Sequence, residues 1–164
     1  MCVSLGVADL CAETIDRIMA VVSGHLILLS DVRAAETLGL VPLAPGEGAA
    51  TIVERLIDRT LILDEVNRYA PPDPDDRQIA DELSALRARF SSADAFTASL
   101  VRLGLDERNV RETVRQNLRA RAYITQRFGA ETPEQAQVAI GEWVAGLRRR
   151  AEIVVVAATA PPAP

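Results

Sequence analysis

Lysine is absent from the 164 residues, and all 18 basic residues are arginine. That excludes Schiff-base chemistry and any phosphate-binding loop built on a lysine. One histidine (His25) and two cysteines (Cys2 and Cys11) are too few for an ordinary zinc site or a Cys-His or Ser-His nucleophile pair. Aromatic residues make up 4%, which argues against stacking platforms for single-stranded nucleic acid. A net charge of −5 disfavours a dedicated nucleic-acid binder of any kind. With only two methionines, a Met-rich promiscuous surface is excluded as well. Apolar runs are too short for a transmembrane span. What is present is a globular composition, 49% apolar and 25% charged. A chain of this length suggests one domain, or at most a domain plus an appendage, and buries roughly 70% of its unfolded surface. No constellation points to an enzyme, a metal or a cofactor.

Residues 1–14 read as a leader or the remnant of a signal peptide. The stretch is mildly apolar, but Asp9 interrupts it and Arg17 is the first basic residue. Leu10-Cys11-Ala12 is no lipoprotein signal, because a residue as large as Leu precedes the Cys. Cys2 and Cys11 can bridge in an oxidising compartment, and nothing requires it.

From Ile15 onward the punctuation is clear. Ile15 to Val22 and His25 to Leu29 flank Ser23-Gly24, a two-residue hairpin signal, and both runs are apolar on both faces, so the hairpin is expected to be covered. His25, directly after the turn, reads as solvated. Ser30 is placed to cap a short helix from Asp31 to Leu38, stopped by Gly39. Val41 to Gly48 is a loop by its Pro and Gly content. Thr51 and Glu54 suggest a capping box for a helix to about Tyr69, apolar nearly all round and therefore central. Asp73 and Pro74 open the next helix, with Ile79, Leu83, Leu86 and Phe90 on one face. A short helix carries Phe96, Leu100 and Leu103 to Gly104. Asp106 caps a long helix to Phe128. Thr132-Pro133-Glu134-Gln135 starts a last helix that ends in Arg148-Arg149-Arg150, cations at the negative helix end. Ala151 to Val156 reads as a strand, and residues 157–164 as a disordered Ala/Pro tail. Three strands on helices are stable where a lone hairpin is marginal, so the last strand is expected beside the hairpin. The fold class is therefore mainly α with a small antiparallel sheet, a single domain over residues 15–156.

Ile15 to Gly24, running into Ile27-Leu28-Leu29-Ser30-Asp31-Val32, resembles the start of SurA-type periplasmic chaperones. Glu54-Arg55-Leu56-Ile57-Asp58 to Leu63 resembles their central helix. Trp143 to Ile153 resembles the helix and strand that close their core. The resemblance spans about Ile15 to Val156. Family members insert parvulin prolyl-isomerase domains before the closing helix; here Phe128 is followed at once by Gly129-Ala130-Glu131-Thr132-Pro133, which leaves room for a linker only. The resemblance thus implies the chaperone core without isomerase. It would hold unfolded outer-membrane polypeptides in the periplasm without nucleotide.

Client binding by such a core would need an exposed apolar groove. Phe90, Phe96, Leu100, Tyr123 and Phe128, near helix ends and breaks, are the candidates, with ordinary core packing as the competing reading. Arg108, Arg111, Arg115 and Arg119 share one side of the long helix and read as a solvated face open to acidic client segments. Asp64 and Arg121 each interrupt an apolar helix face, and a buried ion pair between them would relieve both; the alternative is that Arg121 snorkels to water along its stem and Asp64 caps or faces solvent. The alternative function is a structural or assembly protein that forms a homodimer by exchanging terminal elements.

Overall fold

A computed structural model describes residues 16–41, 44 and 46–156. The leader and tail readings for residues 1–14 and 157–164, and the suggested Cys2–Cys11 bridge, lie outside the described residues.

The chain enters through a hairpin, β1 (Ile18–Val22) and β2 (His25–Leu28). Ser23 and Gly24 both take positive φ, 47° and 86°, the backbone that a two-residue hairpin turn needs. Val22 faces His25, Val21 faces Leu26 and Ala20 faces Ile27; the register then slips, so that Ile18 faces Leu28. The bulge at Met19 turns Met19 and Ala20 both inward, and both are buried.

Helix α1 (Leu29–Leu38) starts earlier than expected, and Ser30 is not its cap. Asp31 takes that part by reaching back to accept the Leu28 N–H at 2.8 Å. Gly39 closes the helix in the left-handed conformation, φ 60°. Helix α2 (Ala49–Tyr69) also starts early, from Gly48, so no Thr51–Glu54 capping box forms. Glu54 is drawn instead to Arg148. Helix α3 (Asp76–Arg87) begins after Asp75, which exchanges side-chain and backbone hydrogen bonds with Gln78. Asp73, the expected cap, holds Arg119 at 3.1 Å. Helices α4 (Ala93–Leu103), α5 (Glu107–Phe128) and α6 (Pro133–Arg150) begin at Ser92, Asp106 and Thr132, each of whose side chains accepts a first-turn N–H. Strand β3 (Ile153–Val155) then pairs antiparallel with β1, and the sheet order is β2-β1-β3. The mainly helical fold with its small antiparallel sheet is as the sequence suggests.

Two apolar clusters run through the described residues. One joins the inner sheet face (Ala20, Val22, Ile27) to α1, α2 and α6 through Val32, Ile57 and Leu147. The other packs α3, α4 and α5 around Leu86, Phe96, Leu100 and Val110. Helix α2 touches β1, β2, α1, α5 and α6, which is why it is apolar over most of its circumference. The expectation of a covered hairpin fails on one face. Helices pack on the inner face alone, and Ile18, Leu26 and Val154 stay 39%, 54% and 51% exposed.

Candidate functional site

The five apolar candidates do not form one groove. Phe96 and Leu100 are buried, and Phe90 meets Phe96 edge to face with ring centroids 5.2 Å apart. Tyr123 and Phe128 belong to a second, separate nest around Trp143, at centroid distances of 5.9 and 5.7 Å. Tyr69 stacks on Tyr123 at the rim, and Arg127 lies over both Phe128 and Trp143. Helix breaks expose side chains only when nothing packs on them, and here neighbouring helices do.

Asp64 and Arg121 are not partners. Asp64, near the end of α2, faces β2 and meets His25 Nε2 at 3.3 Å. Arg121 reaches across to Glu82 on α3 at 3.2 Å, with its side chain 63% exposed. A helical wheel ranks positions around one helix; it does not say which neighbour arrives opposite them. The arginine side of α5 is exposed only in part. Arg111 holds Asp76, Arg115 holds Glu112 and Arg119 holds Asp73, so three of its four cations are engaged.

A concavity lies beside β2, and nothing in the sequence pointed to it. It has a volume of about 370 Å³ and is walled by β2, α1, α2 and α5. Three consecutive residues, His25, Leu26 and Ile27, line it. Because their side chains alternate between sheet faces, the cleft runs along the strand's free edge. Leu38, Leu40, Leu56 and Leu63 supply apolar wall, and Asp31, Asp64 and Gln116 are among its polar groups.

Arg59 sits in this wall. Its Nε donates to Asn117 Oδ1 at 2.9 Å and one terminal nitrogen donates to Gln116 Oε1 at 3.2 Å. Burial lowers its pKa from the ordinary guanidinium value, and the charge of Asp31 partly opposes that shift. It stays cationic at any working pH. One sequence signal does point to it: its neighbours at i±3 and i±4 are Leu56, Ile62, Arg55 and Leu63, with no acid among them.

No group of three or more His, Cys, Asp or Glu among the described residues is placed to hold a metal ion. Among the same residues, no helix is long and apolar enough to cross a membrane. In comparisons with known proteins, the chain matches no family model and no curated protein.

Proposed function

We propose that the chain is a non-enzymatic, ATP-independent chaperone that holds unfolded outer-membrane polypeptides in the periplasm. The observation that carries this reading is the open cleft along β2, with its apolar wall and polar rim. Such a cleft offers an extended chain both side-chain burial and backbone partners. The resemblance of Ile15–Val32, Glu54–Leu63 and Trp143–Ile153 to SurA-type cores supplies the class of client and the compartment. It also argues against isomerase activity, since only a linker separates Phe128 from the closing helix.

Light scattering tests the proposal. A urea-unfolded outer-membrane protein, diluted into a molar excess of this chain, should aggregate more slowly than in buffer. No delay at several-fold excess would refute it. Self-association through terminal elements is the second reading. It is favoured by the brevity of β3, three residues on a sheet edge with Val154 exposed. Scattering from the protein alone, rising with its own concentration to a dimer mass, would support that reading instead.

A further inference from the structure

Four arginines are half-buried among the described residues. Three of them hold carboxylates: Arg55 on Glu47 at 2.8 Å, Arg119 on Asp73 at 3.1 Å, and Arg148 on Glu54 at 2.8 Å and Asp58 at 2.5 Å. Arg59 alone meets only the side-chain amides of Gln116 and Asn117. Asp31 acts on it only at a distance, no carboxylate among the described residues reaches it, and a half-buried guanidinium has five donors to satisfy. Two of its nitrogens are engaged. The rest of the group has no protein acceptor among the described residues, at the wall of a cleft large enough for several side chains.

We infer that this cleft receives the C-terminal end of an extended polypeptide, with its terminal carboxylate on Arg59 and its last apolar side chains against Leu40, Leu56 and Leu63. This inference rests on the peptide-binding reading above and deepens it. Planar, two-pronged recognition is what a guanidinium offers a carboxylate. The other ionisable groups in the wall narrow the choice. Asp31 accepts from the Leu28 N–H, and Asp64 lies against His25. Both repel a second carboxylate, so a run of acidic residues is excluded where a single chain-end charge is admitted.

The edge of β2 selects a peptide over a fatty acid. Val22 and His25 close the two-residue turn as a hydrogen-bonded pair, and in an antiparallel ladder the next pair, Val21 and Leu26, is not hydrogen-bonded. The Leu26 N–H and C=O therefore point away from β1. A peptide backbone can use them and an alkyl chain cannot.

The test uses the full chain and a fluorescently labelled, N-acetylated octapeptide of apolar residues, made with a free C-terminal acid and with a C-terminal amide. Anisotropy should show the acid binding at least about tenfold tighter, the scale of a charge-assisted hydrogen bond. The ratio should fall to near one in Arg59→Gln, and an aspartate at the penultimate position should weaken binding. Equal binding of acid and amide overturns the inference; so does failure of both to bind, and so does decanoate that matches the peptide acid in affinity. If Arg59→Gln does not fold, the acid/amide ratio on the unaltered protein still decides. Equal binding of acid and amide leaves the chaperone reading standing, and the aggregation assay judges that separately.

Discussion

Arg148 is the ionic centre of the α2–α6 contact. It donates to Asp58, to the Glu54 carboxylate and to the Glu54 backbone carbonyl. Arg148→Ala should therefore lower unfolding free energy by about 1–3 kcal/mol, while Arg121→Ala, at an exposed pair, should change it by no more than about 0.5 kcal/mol. Urea titrations of both variants check the contrast. Equal losses would mean that exposure is the wrong guide. Acid sensitivity has a local source as well. The hydrogen bond from Arg115 holds the Glu112 carboxyl below its ordinary value of 4.5, against a smaller opposing effect of burial. A depressed carboxyl stabilises the fold above its unfolded value, and that contribution fades as pH falls through the folded one. The stability gap between the native chain and Arg115→Gln should thus be present above about pH 5 and close on acidification. High salt should shrink it, because the pair is exposed. At this scale the sequence is least legible. Asp64 and Arg121 were conspicuous and turned out to serve other partners, whereas Arg59, which faces the cleft, does not stand out until its acid-free i±3 and i±4 neighbours are read.

Elements were far more legible, because their signals are local. Asp106, Thr132, Gly39 and Gly104 mark boundaries that the structure keeps. Where boundaries moved, a longer-range demand accounts for the new partner. Glu54 went to Arg148 and Asp73 to Arg119, which left helix starts to Gly48 and Asp75. The apolar outer face of the sheet could not be foreseen as open, since periodicity reports that a face is apolar and not that anything covers it. Leu26→Thr and Val154→Thr should accordingly shift stability by no more than about 0.5 kcal/mol. A larger loss in thermal unfolding would reveal hidden cover. Strand β3 is another matter. It meets β1 through Val22–Ile153, Val21–Val154 and Ala20–Val155. Truncation after Arg150 removes these ladder bonds, each worth about 1 kcal/mol, and should lower stability by about 2–4 kcal/mol in a single cooperative transition. A truncated chain that melts like the intact one would show the strand to be dispensable.

At the scale of the whole molecule, the two apolar clusters meet where α1 ends, with Leu40 packed against both. The cleft opens on that junction. Ile57 is fully buried at the centre of the larger cluster, so Ile57→Ala should cost about 2–5 kcal/mol. Calorimetry would check it. In proline-limited refolding of an unrelated substrate protein, the chain should give no catalytic turnover; acceleration at substoichiometric amounts would end the isomerase-free reading. The sheet order has a further consequence. β1 is completed on its first side within a few residues, by β2, yet its other side waits for a strand almost the whole described chain away. A ribosome must therefore make everything through α6 before the central strand is closed, and until then one backbone edge stays open to mispairing. The two ends of the described segment also lie side by side, since the Val156 N–H donates to the Met19 carbonyl at 2.9 Å. Joining those ends with a short linker and cutting the chain in the turn between α5 and α6 would make the three strands nearly contiguous. Such a circular permutant should reach the same fold faster, because its most distant contacts have become its nearest.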